Sequence, residues 1–174
     1  MLPKLILTDI DGVWTDGGMY YDEKGNEFKK FNTYDSAGVL FCKMLGIPCG
    51  IVTGENTNSV KRRGAKLKME YVFLGVKDKV KLIENLLDEL KIQWCDIAYL
   101  GDDINDYAVL LKAGLSACPS SAPEYIKVVA GWKLSKKGGE GVFREFVERI
   151  LQENDISIKE LVENKAMINK KNIQ

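Results

Sequence analysis

Lys4-Leu5-Ile6-Leu7-Thr8-Asp9-Ile10-Asp11-Gly12-Val13-Trp14-Thr15-Asp16-Gly17 decides the fold. A short apolar run, bounded by Lys4 and the Gly12 turn, ends in two carboxylates two residues apart. Such a run reads as a buried central strand, and a period of two sends residues i and i+2 the same way. Asp9 and Asp11 are therefore expected to converge at the strand's carboxyl end. Open parallel sheets bind ligands at that edge, and two close carboxylates repel unless a cation or a shared proton relieves them. A divalent metal is the simplest remedy and marks a phosphate-handling acid pair. Asp-x-Asp-Gly also suits a plain turn, since Asp and Gly are common turn residues. A calcium loop does not fit, because Asp-x-Asp-x-Asp-Gly with a closing Glu is absent.

Composition narrows the chemistry. At 174 residues with 45% hydrophobic content, the chain has the material for one domain, 1–174, with a sizeable core. Lys plus Arg total 25 and Asp plus Glu total 25, so no overall field favours nucleic acid or an anionic membrane. No signal-type segment precedes the first strand and nowhere do about 18 apolar residues run together, which predicts a cytoplasmic address. Cys42, Cys49, Cys95 and Cys118 are widely spaced without a Cys-x-x-Cys pair and read as reduced thiols. There are no histidines, which excludes Ser-His-Asp chemistry, phosphohistidine and histidine-ligated zinc. Carboxylates are left as the natural acids, bases and nucleophiles, with hard cations such as magnesium as their partners.

Apolar runs at Leu5 to Leu7, Ile47 to Val52, Tyr71 to Phe73, Ile97 to Leu100 and Leu115 to Ala117 alternate with helical periods. That alternation predicts an α/β, Rossmann-like, doubly wound parallel sheet with covering helices. The clearest helix carries Val76, Val80, Ile83, Leu87 and Leu90 on one stripe, with Asp78 as its N-cap. Others are predicted over Ser36 to Leu45, Thr57 to Leu67, Asn105 to Lys112 and Gly141 to Leu151. A β-hairpin is expected at about residues 16–32, turning at Asp22 to Asn26. The tail, about residues 153–174, thins into Lys and Asn and reads as either a weak helix or disorder.

Three further segments bear on a site. Ile51-Val52-Thr53-Gly54-Glu55 closes a strand with a hydroxyl and a glycine; the Thr hydroxyl and a backbone N–H there suit an anion, or form an ordinary strand-to-helix turn. Right-handed βαβ winding would bring this loop beside the end of the first strand. Lys79 falls in the first turn of its helix, where the macrodipole disfavours a cation unless an anion sits nearby. The other reading is a solvated cluster of Lys77, Lys79 and Lys81. Leu100-Gly101-Asp102-Asp103-Ile104-Asn105-Asp106 puts three carboxylates at one strand end, more than helix capping needs. Asp102 is the best metal ligand of the three, with Asp106 orienting its neighbours.

These blocks in this order, Asp9-x-Asp11, Thr53, Lys79 and Gly101-Asp102-Asp103 with Asp106, resemble the haloacid dehalogenase superfamily of phosphohydrolases. The resemblance covers roughly residues 4 to 150 and leaves no room for a large cap domain, which implies the capless branch. Within it, Asp11-Gly12-Val13-Trp14-Thr15-Asp16-Gly17, Phe31-Asn32-Thr33 and Gly138-Gly139-Glu140-Gly141-Val142-Phe143-Arg144-Glu145 resemble the 3-deoxy-ulosonate phosphate phosphatases. That family acts on phosphorylated acidic sugars. Its eight-carbon members usually carry Arg after the Thr-Gly pair, whereas this chain has Glu55 and then Lys61-Arg62-Arg63-Gly64-Ala65-Lys66. The departure points to the nine-carbon substrate, 2-keto-3-deoxynononate 9-phosphate, with 3-deoxy-D-manno-octulosonate 8-phosphate as the alternative.

The resemblance implies roles as well. Asp9 would be the nucleophile and Asp11 the acid/base, with Mg2+ held by Asp9, the Asp11 main-chain carbonyl and Asp102. Thr53, Gly54 and Lys79 would bind phosphate, and Thr33 and Asn105 would touch substrate. Arg63 and Lys66 would supply cations for a sugar carboxylate and Glu55 an acceptor for hydroxyls, whereas without the resemblance the same helix reads first as a solvated basic face. A homotetramer is implied, in which hairpins and neighbouring subunits close each site and the Gly138 to Arg144 run lies near a neighbour. A signalling receiver module shares the acidic site, the Thr, the Lys and the phosphorylated Asp, but there the paired acids and the acceptor sit on different strands. A tetramerisation module is disfavoured by the intact acid set.

Overall fold

The computed structural model describes residues 1–163. Its centre is β1 (Leu5–Thr8), buried along its whole length. The strand pairs in parallel with β4 (Cys49–Val52) on one side and β6 (Ile97–Leu100) on the other, matching Thr8 to both Ile51 and Leu100. With β5 (Tyr71–Phe73), β7 (Leu115–Cys118) and β8 (Trp132–Lys133) the sheet order is β5-β4-β1-β6-β7-β8, all parallel. The chain winds outward from β1 through β4 to β5, then returns to β6 on the opposite side. Strand order thus reverses at β1, which places a ligand crevice at the carboxyl ends of β1 and β6.

Alternation along β1 divides the core. Ile6 faces one layer with α1 (Asp35–Leu45), α2 (Asn58–Leu67) and α6 (Val142–Gln152), whose Val39, Val60, Phe143 and Phe146 are buried there. Leu5 and Leu7 face the other layer, with α3 (Lys79–Leu90), α4 (Tyr107–Lys112) and α5 (Glu124–Val129) contributing Ile83, Leu87, Val109 and Ile126. Burying runs of this size on both faces supplies the main stabilisation, about 25 cal/mol per Å² of apolar surface removed from water.

The hairpin consists of β2 (Tyr20–Tyr21) and β3 (Glu27–Phe28), turning where Asp22 accepts the N–H groups of Lys24 and Asn26. Asp78 caps α3 as expected, accepting from Lys81 N at 3.0 Å. Three differences have local causes. β4 starts at Cys49 rather than Ile47, because Gly46 in left-handed conformation closes α1 and Ile47 N returns to Cys42 O. α4 starts at Tyr107 rather than Asn105, because the preceding residues turn through i→i+3 bonds, Asp106 N to Asp103 O and Tyr107 N to Ile104 O, and the first i→i+4 bond runs from Leu110 N to Asp106 O. The short α5, β8 and a 3₁₀ turn at Trp94–Asp96 carry too few residues to show a period. Residues 158–163 are helical; the remainder of the tail, 164–174, lies outside the described residues. No helix among the described residues is long and apolar enough to cross a membrane.

Candidate active site

Asp9 follows β1 directly, and its N–H continues the ladder to Leu100 O at 2.9 Å. The next turn is tight: the Ile10 carbonyl accepts from Val13, Trp14 and Thr15, while the Asp11 carbonyl accepts no hydrogen bond among the described residues. Gly12, at φ +80°, permits the approach of the β6 loop, since a Cβ there would lie 1.8 Å from Asp102 Oδ2. Gly138 and Gly139 brace the turn from below. A Cβ on Gly138 would fall 1.9 Å from Gly12 O, and Gly139 N donates to Val13 O at 2.8 Å. Within this chain the run therefore packs against the loop that follows β1.

Beneath the loop lies a buried charge cluster. Lys79, 3% exposed, places its ammonium 3.0 Å from Asp9 Oδ1 and 2.7 Å from Asp106 Oδ1. The fully buried Tyr99 hydroxyl donates to the same Asp106 oxygen, and Asp106 Oδ2 accepts from Asp102 N and Asp103 N at 2.9 and 3.3 Å. Asp9, Asp102 and Asp106 offer oxygens within 4.8 Å of one another. Their availability differs: both Asp106 oxygens are engaged, whereas Asp9 Oδ1 meets the Lys79 ammonium alone and Asp102 Oδ1 is buried and accepts no hydrogen bond. Asp9 and Asp102 are therefore the pair that fits a cation, and Asp106 is the anchor that holds Lys79 and the β6 loop.

Electrostatics agree. Burial, followed by the charge of Asp106, pushes the Asp9 carboxyl up to about 7. Burial, followed by Asp9 and Asp106, pushes Asp102 up to about 8. For Lys79 burial pulls downward, but Asp9 and Asp106 outweigh it and hold the ammonium charged. Tyr99 is driven well above its ordinary value by burial and then by Asp106, so it stays a donor. One ammonium among three acids leaves surplus negative charge, the condition a divalent cation relieves.

Above the cluster opens a cleft of about 370 Å³ lined by Asp9, Asp11, Gly12, Met19, Thr53, Gly54, Glu55, Asp102 and Asn105 among others. The sequence-derived residues divide accordingly. Asp9, Asp11, Thr53, Gly54, Glu55, Asp102 and Asn105 meet there, and Lys79 lies below at Asp9. Thr33 is exposed ahead of α1. Arg63 and Lys66 line a separate groove with Lys29, Phe31 and Arg62. Arg63 is moreover committed internally, donating to Asn32 O at 2.9 Å and Ser36 Oγ at 3.1 Å and lying over Trp14 and Phe31. Sequence reasoning missed two residues. Tyr99 had one sign, a hydroxyl-bearing side chain inside an apolar strand; Lys29, which meets Asp11, had none.

Comparison with known proteins gives the same answer. The model of the haloacid dehalogenase-like hydrolase family matches residues 70–146. The 3-deoxy-D-manno-octulosonate 8-phosphate phosphatase of Haemophilus influenzae is 34% identical over 149 residues, covering 86% of this chain and 83% of that protein. The enzyme of the same name from Moraxella catarrhalis, solved with magnesium, phosphate and KDO, superposes with a TM-score of 0.84 at 33% identity, covering 86% of each chain. A cobalt-bound form of the Haemophilus influenzae protein gives 0.82 at 33% identity, covering 86% of this chain and 88% of that one. Magnesium is thus the cofactor that the Asp9 and Asp102 oxygens fit. With its six-stranded sheet, its small hairpin in place of a cap and its acid pair at the β1 edge, the chain belongs to the haloacid dehalogenase-like hydrolases, among their capless phosphatases.

Proposed function

We propose that this protein is a magnesium-dependent phosphomonoesterase for a phosphorylated acidic sugar, 2-keto-3-deoxynononate 9-phosphate, working through an aspartyl-phosphate on Asp9. The observation that carries the reading is the meeting of Asp9, Asp11, Thr53 and Asp102 at one cleft, with Lys79 directly beneath. An Asp9 oxygen attacks phosphorus in line, and the bond to the sugar oxygen breaks as Asp11 delivers a proton to it. Water then attacks the phosphoryl group, giving its proton to Asp11 and releasing Asp9. The Thr53 hydroxyl, the Gly54 N–H and the Lys79 ammonium bind phosphate oxygens. Asp9, Asp102 and the Asp11 carbonyl would hold the magnesium, which when bound offsets charge on the transferring group.

Glu55 supports the nine-carbon sugar: it lines the cleft as a hydroxyl acceptor at the position that follows Thr53 and Gly54. Asn105 is the second polar contact from the same wall. Arg63 and Lys66 belong to another groove and would reach a substrate carboxylate only across an interface. A homotetramer of the cytoplasm, each chain one catalytic domain, completes the proposal. Its support is the hairpin, which exposes Met19, Tyr20, Tyr21 and Phe28 to between 44 and 63% although two strands alone are marginal in water. The eight-carbon phosphate is the second reading, favoured by the relatives' activity.

The deciding experiment compares kcat/KM on the two sugar phosphates and measures Asp9→Asn beside them. The nine-carbon compound is expected to be the better substrate and the variant inert. A higher value for the eight-carbon compound reverses the substrate assignment, and turnover by Asp9→Asn removes the nucleophile. A long-lived phosphoprotein without turnover would instead identify a receiver.

A further inference from the structure

The hairpin sends one side chain back to the catalytic loop. Lys29 follows β3, and its side chain is only 2% exposed. Its ammonium meets Asp11 Oδ1 at 2.6 Å and Glu27 Oε1 at 3.2 Å. A lysine that merely strapped a hairpin down would keep its charged end in water, since burial costs hydration and rotamer freedom. Here the charged end is buried and only carboxylates receive it. Asp11 depends on that contact: the other group near Oδ1, the Thr15 hydroxyl, stands at 3.5 Å, the limit of a hydrogen bond. Asp11 Oδ2 is buried and accepts no hydrogen bond among the described residues. One oxygen of the carboxyl is tied and the other is free.

We propose that Lys29 is a positioning residue for proton transfer at Asp11. Its ammonium holds Oδ1, so that Oδ2 is the oxygen that hands a proton to the leaving sugar oxygen and later takes one from the attacking water. Glu27 aims the ammonium. The hairpin is then part of the acid/base apparatus, and no segment other than the hairpin supplies this contact among the described residues. The inference rests on the reading of Asp11 as the acid/base.

The test uses Lys29→Met, which keeps the apolar stem, and Lys29→Ala with and without propylammonium. Turnover is measured on the sugar acid phosphate, and the first-turnover burst on 4-nitrophenyl phosphate, whose leaving group departs without a proton. On the sugar phosphate kcat should fall about 10²-fold with KM within about twofold, while the nitrophenol burst falls less than about threefold. Propylammonium should return at least about tenfold of the kcat lost in Lys29→Ala, which a scaffold defect would not allow. Stabilisation by magnesium, read as a thermal shift, should persist in both variants, because Asp9 and Asp102 are untouched. Unchanged kcat, a loss carried by KM, or an equal loss of the burst would overturn the role of Lys29. Asp11→Asn separates the two failures: if it retains turnover the acid/base reading falls, and if it loses turnover while the Lys29 variants keep theirs, the Lys29 inference alone falls.

Discussion

Replacing Gly12 by alanine should disable the metal site while leaving the fold standing. Two costs act at this position and can be separated. The first is backbone: at φ +80° a Cβ costs about 1–2 kcal/mol. The second is contact: the new methyl would lie 1.8 Å from Asp102 Oδ2, whereas a carbon and an oxygen need about 3.3 Å, so the carboxylate must retreat by about 1.5 Å. Misplacement on that scale costs about 10²-fold in rate. Gly25 is the internal control, because it has the same φ of +80° and nothing within 4 Å of its Cβ position. Gly25→Ala therefore carries the backbone cost alone, expected to lower Tm by about 2–8 °C. Gly12→Ala should show at least that melting loss without magnesium, none of the wild-type stabilisation by added magnesium, and phosphate release reduced about 10²-fold or more. Thermal denaturation across a magnesium titration and a phosphate-release assay read both. Wild-type magnesium stabilisation in Gly12→Ala, or an equal loss of activity in Gly25→Ala, would refute the assignment of Asp102 as a ligand placed by that close approach.

Magnesium binding should release protons: with Asp9 raised to about 7 and Asp102 to about 8, each is partly or mostly protonated at pH 7, and binding requires both ionised. Affinity should rise with pH until about 9 and flatten above, with between one and two protons released at pH 7; titration calorimetry giving the same heat in buffers of different ionisation enthalpy would contradict this. Asp35, fully buried at the N-terminus of α6, accepts from Phe143 N and Arg144 N, and burial raises its carboxyl to about 6. Its folded value is above the unfolded one, so its contribution is present below about pH 4 and lost as pH rises through 6. Asp35→Asn should gain about 3 kcal/mol relative to wild type between pH 4 and 7, while Asp35→Ala should lose about 1–3 kcal/mol from the stranded helix donors, both by denaturant titration. A stability difference between Asp35→Asn and wild type that does not change with pH would defeat this account. Tyr99→Phe removes one donor from Asp106 and should lower kcat about tenfold with little change in KM; an unaltered kcat would show that Lys79 and the two loop N–H groups suffice.

The extent to which the sequence announced this structure follows from the range of each interaction. Leu5–Thr8 was legible because a fully apolar run ending at two acids has few ways to be buried, and the same logic held for Ile97–Leu100 and its Gly-Asp-Asp loop. The Asp78 cap and the stripe of α3 were legible because a helix writes its period into neighbouring residues. Asp106 was expected to orient its neighbours, and its side chain does accept from the Asp102 N–H, four residues before it.

Lys29 escaped for the opposite reason. Its partner is 18 residues away across a hairpin whose strands are two residues each, and nothing local distinguishes Lys29 from the exposed Lys30 beside it. Only the fold decides which of two adjacent lysines is buried against Asp11. Arg63 fails in the same way: on the helix it reads as one cation of a basic face, yet tertiary packing turns it onto Asn32, Ser36 and two aromatic rings, while Lys66 one turn later stays exposed. Long-range charge pairing has no periodic signature, because a long flexible stem lets one Cα serve many partners. The acids are the easier half of such a site, since their placement is fixed by strand ends. The cations that hold them are chosen by which surfaces come together, and in this chain one of those surfaces is the hairpin that stands where a cap would otherwise be.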